Sequence, residues 1–238
     1  MRKFAILLVV ILSGSILSGC LYPKDSLKAN QVPYKDQLRA VQTAVDEYKK
    51  ENGGLLPIKT RDMNTPIYQK YPIDFSKLSS SFLQEPPKNA FESGGIYQYV
   101  LVDVETNPTV KLIDIRIAEQ IRDLKLKLQM YRDQHQYPPF HKVLADGVYT
   151  LDYKKMGLKD DPYVVSPYSG KNLPFVIDAQ GEIYVDYSAD LYEILQKHPE
   201  EAKPGEDIRK LLVKDAPFVP AYSLAYTVKD KEPIFLVQ

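Results

Sequence analysis

The sequence predicts an α+β fold of two tandem units, each an amphipathic helix followed by an antiparallel hairpin, with a C-terminal helix-hairpin extension. Two segments carry apolar residues at steps of three and four, and a proline-bearing loop and strand-like runs follow each of them. A third pair of strand-like runs closes the chain. The predicted segments are a signal peptide (1–19), a tether (20–33), the two units (34–113 and 114–187) and the extension (188–238).

The start of the chain has the pattern of an exported lipoprotein. Arg2 and Lys3 precede an apolar run that is shorter than the about 20 residues of a membrane span. Leu17-Ser18-Gly19-Cys20 then forms a lipobox, in which cleavage occurs before Cys20 and the thiol of Cys20 takes the lipid. We expect a lipid anchor on the outer face of the cytoplasmic membrane. The alternatives are an ordinary signal peptide with a coincidental cysteine and an uncleaved anchor helix.

Cysteine usage and charge agree with export and restrict the class of partner. Cys20 is the only cysteine of the 238 residues, so the exported part has no disulfide and no other thiol. Removal of residues 1–19 takes away two basic residues and leaves 29 basic against 31 acidic ones. This balance argues against nucleic acid as a partner and against a polybasic contact with anionic lipid.

The first unit is predicted from a helix and a hairpin. The helical spacing involves Leu38, Val41, Val45 and Tyr48. Asn52-Gly53-Gly54 is a helix stop signal. The runs 96–102 and 110–113 are predicted to pair across a turn at 105–108.

The second unit repeats this order. Its helix carries Ile117, Ile121, Leu124, Leu128 and Tyr131 on one face. The helix should end near His135-Gln136, and another loop carries Asp161-Pro162 and 166–170. The runs 175–177 and 183–185 are then predicted to pair across the turn 178–181, whose two-residue Gln-Gly centre suits a tight turn. The last four helix positions match those of the first helix at one constant offset, which indicates an internal duplication; the alternative is chance recurrence of similar amphipathic helices.

The extension from residue 188 is predicted as two short helices and a third hairpin. Leu191, Ile194 and Leu195 indicate a helix that His198-Pro199 ends, and 206–213 indicates another. The runs 222–228 and 233–237 are predicted to pair across 229–232.

The first unit resembles the globular part of type II secretion pseudopilins and type IV pilins. The matching residues are the helix from Leu38 to Tyr48, Asn52-Gly53, Pro57, Pro87-Lys88-Asn89 and Tyr97-Gln98-Tyr99. The second unit matches through Tyr131, Tyr137-Pro138 and Ser166-Pro167. The chain lacks the apolar N-terminal assembly helix of pilins, so the resemblance implies the fold and not filament formation. The whole chain is also similar to the YphF-like lipoproteins of Gram-positive bacteria, a resemblance that implies no known activity.

Residue patterns for catalysis or metal binding are missing from the sequence. His135, His141 and His198 have no paired-ligand spacing, and two of them lie at predicted helix ends, where a cation suits the dipole. The segment 178–186 faintly resembles a calcium loop but is better explained as a turn. No nucleophile elbow, phosphate loop or dinucleotide motif occurs. We therefore expect no enzymatic activity, no cofactor and no metal.

Tyrosine is the remaining feature of interest, with 18 residues and no tryptophan. Tyr97, Tyr99, Tyr168 and Tyr184 are candidates for an aromatic surface that binds a protein or glycan. The alternative is that these tyrosines pack the sheets.

These observations predict a non-enzymatic, membrane-anchored interaction or scaffold protein that binds another envelope protein. The main alternative is a solute- or glycan-binding lipoprotein associated with a transporter. A third possibility is an envelope hydrolase, which would need a deep pocket with a base beside a nucleophile.

Overall fold

Helix and antiparallel strand alternate along the chain, which confirms the predicted α+β class. The computed structural model describes residues 34–79 and 81–236, and the described residues from Lys35 onward form one compact unit. The predicted signal peptide and tether, with Leu17, Ser18, Gly19 and Cys20, lie outside the described residues. Within the described ranges, none of the helices has both the length and the apolarity needed to cross a bilayer.

The first helix and hairpin lie where the sequence predicted them. Helix α1 spans Tyr34–Glu51 and is followed by Gly53 and Gly54, both at positive φ. Strands β1 (Tyr97–Val102) and β2 (Thr109–Asp114) pair antiparallel. Between α1 and β1 lie the short helix α2 (Phe75–Leu78) and the 3₁₀ turns Ile67–Gln69 and Phe91–Ser93.

The first hairpin is buried on both faces. Tyr99 and Leu101 are buried on one side of β1, and Val100 and Val102 are buried on the other, where Val219 packs against them. The uninterrupted apolar run in β1 is typical of a strand without a solvent face.

The second helix, α3, spans Ile115–His135. The Asp114 side chain caps it by accepting a hydrogen bond from the Arg116 amide at 3.0 Å. The chain leaves the helix at Gln136, which has a φ of 70°. The apolar stripe predicted for this helix is buried in the larger core, with Ile117, Ile121, Leu124, Leu128 and Tyr131.

A five-stranded antiparallel sheet follows α3, where the sequence predicted only one hairpin. The strands are β3 (Phe140–Ala145), β4 (Val148–Leu151), β5 (Tyr163–Val165), β6 (Asn172–Asp178) and β7 (Ile183–Val185). Their order is β3-β4-β6-β5, and β7 also pairs with β6. Strands β3 and β4 were not predicted, and the loop predicted around 161–170 contains β5. All but the last residue of β3 are exposed and β5 has three residues, so neither shows an apolar alternation.

The C-terminal segment has the predicted order of elements. It contains α4 (Ser188–Lys197), a 3₁₀ turn (Pro199–Glu201), α5 (Lys210–Val213), β8 (Tyr226–Lys229) and β9 (Glu232–Phe235). The turn between β8 and β9 has two residues, Asp230 and Lys231, both at positive φ.

This segment pairs with both sheets. The Leu112 amide donates to the Pro217 carbonyl at 2.8 Å, so the chain runs beside β2. The Val185 amide donates to the Tyr222 carbonyl at 2.8 Å, which places the same segment beside β7. Residues 216–222 thus connect the first hairpin to the larger sheet.

Candidate functional site

The candidate site is a cleft of about 670 Å³ along the exposed side of helix α3, which we call the α3 cleft. Its walls are α3, the β6–β7 turn, the 3₁₀ turn after Thr65 and the chain around Tyr222. The lining residues are Pro66, Gln69, Ala118, Ile121, Arg122, Lys125, Leu126, Gln129, Glu182, Ile183, Tyr184, Tyr222 and Ser223.

Helix α3 supplies one wall because its lining residues recur at steps of three and four. Ala118, Arg122, Lys125 and Gln129 lie on a strip beside the buried apolar face. Ile121 belongs to both the strip and the core, so the wall is held by the packing of the larger core.

The β6–β7 turn forms the opposite wall and is ordered by Asp178. One carboxylate oxygen of Asp178 accepts from the amides of Gln180 at 2.9 Å and Glu182 at 2.8 Å. The loop has three residues, 179–181, and ends on Gly181 at a φ of 91°, so the predicted two-residue centre is one residue too short. Glu182 is thereby held against α3, where it forms an ion pair with Lys125.

Tyr184 is the predicted binding tyrosine that lies in this cleft. It is half-buried, and its hydroxyl donates to the second carboxylate oxygen of Asp178 at 3.0 Å. Burial raises the pKa of Tyr184, and the Asp178 carboxylate raises it further. The Tyr184 side chain is therefore uncharged, and its hydrogen bond to Asp178 fixes its position in the wall of the α3 cleft.

Tyr222 lines the cleft in a strained backbone conformation. Its φ is 57°, a region that a bulky side chain rarely adopts and that costs on the order of 1–3 kcal/mol. Its carbonyl accepts from the Val185 amide, which holds the strained residue in place. Strained residues of this kind cluster at binding sites.

Exposed apolar side chains continue the α3 cleft at its rim. Leu126 is 60 % exposed and Met130, one turn further along α3, is 66 % exposed. Ile67, between the lining residues Pro66 and Gln69, is 61 % exposed on the other side. The cleft and its rim together form an apolar surface with Arg122, Lys125 and Glu182 as its charged members.

A second cleft, of about 570 Å³, lies between α4 and the chain after α5. It is lined by Tyr168, Asp190, Glu193, Glu201 and Lys214 among others. Most of its acids have partners: Glu193 pairs with Lys171 and Glu201 with Lys214. The second cleft is therefore more polar than the α3 cleft, and most of its acidic side chains have partners within the protein.

The four candidate tyrosines do not form one surface. Tyr184 lies in the α3 cleft and Tyr168 in the second cleft, whereas Tyr97 and Tyr99 lie in β1. Tyr97 contacts the ring of Phe218 with 5.6 Å between ring centres.

Tyr99 is the candidate that the structure corrects. It is 1 % exposed, and its hydroxyl donates to Asn89 at 2.7 Å. A side chain in the core offers no area to a partner, so packing is its role, and burial raises its pKa to about 12.

One group of described residues has a geometry near that of a metal site, a cluster that the sequence did not suggest. The ligand atoms of His198, Glu200 and Glu201 lie within 4.8 Å of one another. The Nζ of Lys214 donates to both oxygens of Glu201, at 2.9 and 3.0 Å. The Glu201 carboxylate is therefore already paired with a cation. Exposed charges with their own partners are ordinary surface chemistry.

The sequence signal for the α3 cleft is slight. Arg122, Leu126 and Met130 follow the helix period, but this pattern on the polar side of an amphipathic helix does not identify a site. Tyr222 and the 3₁₀ turn Ile67–Gln69 are far apart in the chain, and the fold brings them to α3.

Comparison with known proteins gives one match. Residues 34–114 match the family model described as the YphF family N-terminal domain, a range that contains α1, α2, β1 and β2. No curated protein and no solved structure matches the chain. The chain is therefore YphF-like over residues 34–114.

Proposed function

We propose that this chain is a lipoprotein, held by lipid on Cys20 at the outer face of the cytoplasmic membrane, that acts as a non-enzymatic interaction or scaffold protein of the cell envelope. Its docking site for a partner protein is the α3 cleft. The lipobox that ends at Cys20 supports the location.

The apolar surface of the α3 cleft is the observation on which the proposed function rests. Leu126, Met130 and Ile67 are each at least 60 % exposed beside a concave apolar wall. Burying apolar surface gains about 25 cal/mol per Å², so a clustered surface of this kind favours a partner that covers it. Single exposed apolar residues would need no such explanation.

We also propose that the chain contains two tandem units that each resemble the globular part of a pilin. Val41 and Val45 of α1 and Leu124 and Leu128 of α3 are buried at equivalent positions, and each helix precedes antiparallel strands. The two sheets differ in size, with two and five strands, so we propose a duplication in which the second unit gained strands.

The membrane anchor is tested by Cys20→Ala in the native host. We expect the natural protein in the membrane fraction as a diacylated chain that starts at Cys20, and the variant in the soluble extracytoplasmic fraction. A variant that stays as firmly bound to the membrane would contradict the lipid anchor, as would a mature chain that starts elsewhere.

The docking site is tested with a photo-crosslinking amino acid at Leu126 in the full chain. We expect a discrete adduct with another protein from Leu126, and none from Lys159, an exposed control position between β4 and β5. Adducts of equal yield from both positions would show unspecific collisions and would sink the docking proposal.

The size of the α3 cleft favours one rival function, solute or glycan binding. A volume of about 670 Å³ lies within the range of small-molecule sites. A thermal-shift screen in which a sugar or short peptide stabilises the natural protein, but not Tyr184→Ala, would establish this rival.

A further inference from the structure

We infer that the partner segment that docks in the α3 cleft is an acidic polypeptide, with carboxylates interspersed among large apolar side chains. This inference rests on the proposed function and gives the chemistry of the occupant of the same site. It is carried by the distribution of charge around the apolar wall.

Two arginines of α3 have no close counter-charge: Arg122 in the cleft wall, and Arg132 three residues beyond the lining residue Gln129. Arg122 lines the cleft, and its nearest carboxylate is Asp123, at 3.8 Å between two side chains that are about 70 % exposed. A pair with this geometry in water is worth little. Arg132 lies against the β6–β7 turn, since a Cβ at Gly181 would be 3.2 Å from its Nη1. In the described part of the chain, Arg132 has no carboxylate within 4.0 Å.

The acids of the β6–β7 turn make their close contacts with groups other than Arg122 and Arg132. Glu182 forms its ion pair with Lys125. Asp178 accepts from two backbone amides and from the Tyr184 hydroxyl. Arg61 adds a further positive charge near the Tyr222 hydroxyl, whose pKa it lowers against the larger, raising effect of burial. Arg122 and Arg132 are thus left without a close ion pair of their own in the described part of the chain, beside an apolar wall.

The spacing of the two arginines indicates a polypeptide. Arg122 and Arg132 are ten positions apart on one helix, which corresponds to about 15 Å along its axis. An anionic lipid concentrates its charge at one end and would satisfy one of the two sites. A polypeptide presents side chains along its length, at about 3.3 Å per residue when extended, and can place carboxylates at both arginines. Its apolar residues then cover the apolar wall of the cleft and Leu126, one helical turn from Arg122.

The test uses the full, lipidated chain in its native membrane with the photo-crosslinker at Leu126. The variant Arg122→Glu/Arg132→Glu is compared with Lys142→Glu/Lys159→Glu, which makes the same charge change on exposed residues away from the cleft. We expect the cleft variant to lower the yield of the adduct about tenfold and the control to change it less than about twofold. Thermal melting of both variants at the temperature of the natural protein would show that the fold is retained.

Peptide probes test the charge of the occupant directly. Purified full chain in nanodiscs is titrated with a labelled peptide of alternating leucine and glutamate, and with the same peptide carrying lysine for glutamate. We expect the glutamate peptide to bind about tenfold more tightly at low ionic strength, and the difference to shrink as salt is added. Equal or tighter binding of the lysine peptide would overturn the inference.

The outcomes separate this inference from the proposed function. An adduct at Leu126 that is insensitive to the arginine reversals overturns the acidic partner and leaves the docking site intact. Absence of any protein adduct from Leu126 in the natural background overturns the docking site itself. An adduct with an anionic lipid or a glycan instead of a protein overturns both.

Discussion

The guanidinium of Arg209 lies 5.2 Å from the ring centre of Tyr68, across 141 positions of sequence. Tyr68 belongs to the YphF-like region, in the 3₁₀ turn beside the α3 cleft, and Arg209 directly precedes α5. Arg209 also holds Asp207 through Nε and Nη2, and its Nη1 donates to the Ser223 carbonyl at 2.8 Å. Since Ser223 lines the cleft, this one side chain sets the position of two of its walls.

Replacement of Arg209 should therefore destabilise the fold. Arg209 is 9 % exposed, and Arg209→Ala removes the side-chain donors to the Ser223 carbonyl and to the Asp207 carboxylate, which keeps only the bond from the amide of residue 209. We expect a loss of about 3 kcal/mol in the free energy of unfolding, measured by chemical denaturation. Arg209→Lys should recover part of the loss, since it keeps the charge but lacks the planar fork. The control Lys210→Ala removes an exposed ion pair with Glu206 and should cost less than about 1 kcal/mol; similar losses at both positions would contradict the role of Arg209.

Lys111 holds the C-terminal segment to β2. Its Nζ donates to the carbonyls of Val213 at 2.8 Å and Ala216 at 2.6 Å, and burial lowers its pKa. Lys111→Met keeps most of the volume but removes both donors, so we expect a loss of about 2 kcal/mol. The amides of Leu112 and Val219, which bond between β2 and the segment, should exchange hydrogen faster.

The exposed Lys142→Met is the matched control for Lys111. We expect hydrogen exchange at the amides of Leu112 and Val219 to be as slow in Lys142→Met as in the natural protein. Unchanged protection of Leu112 in Lys111→Met would show that the lysine does not hold the segment.

Asp190 makes the stability of the fold depend on pH. It is 2 % exposed, and its two oxygens accept from the hydroxyls of Ser166 at 2.8 Å and Ser169 at 2.5 Å. Burial raises its pKa above the ordinary value of 3.8 although both serines oppose this. The folded state therefore holds the proton more tightly than the unfolded state. This contribution to stability is complete below pH 3.8 and is lost as pH rises through the raised pKa.

Asp190→Asn removes this titration. Its amide can donate to Ser169 while its carbonyl accepts from Ser166, so we expect a change within about 1 kcal/mol at neutral pH. Asp190→Ala leaves both serines without the partner and should cost about 2 kcal/mol. Denaturation at several pH values should show the natural protein losing stability relative to Asp190→Asn as pH rises. Parallel curves would show that Asp190 does not titrate differently in the fold.

Gly95 is required by a close backbone approach. A Cβ at this position would lie 2.1 Å from the carbonyl carbon of Asn89, whose side chain accepts from the Tyr99 hydroxyl. Gly95→Ala must therefore displace backbone, and we expect a loss of about 3 kcal/mol or more in thermal unfolding. The adjacent Gly94 has a φ of 81° and open space around its Cα, so Gly94→Ala should cost only about 1–2 kcal/mol. A larger loss at Gly94 than at Gly95 would contradict this assignment.

The elements predicted correctly are those that local chemistry specifies. Helix α3 was predicted because its apolar period is complete, and its last turn is followed by prolines. The β8–β9 hairpin was predicted because two apolar runs flank a short polar turn. Strands β3 and β4 were missed although Asp146-Gly147 between them is a hairpin signal, with Gly147 at a φ of 69°. Strand β3 was missed because nearly all of its residues are exposed and it shows no apolar alternation.

The α3 cleft was beyond sequence reasoning, since its parts meet only through non-local pairing. Leu112 pairs with the chain at Phe218, and Val185 with Tyr222, and these contacts bring Tyr222 and Ser223 to α3. A polar-side residue such as Arg122 carries the same pattern whether it faces solvent or the rim of a cleft.

The sequence by itself predicted a lipobox at Cys20, and it determined the α+β class and the order of most helices and hairpins. Each of these features depends on residues that are close together in the chain. Only the tertiary structure decided that β1 is covered on both faces, that Tyr99 is core while Tyr184 lines a cleft, and that Arg122 lies in the wall of that cleft. The reason is physical: helix and turn preferences are local free energies, whereas burial and charge compensation depend on which distant segments meet.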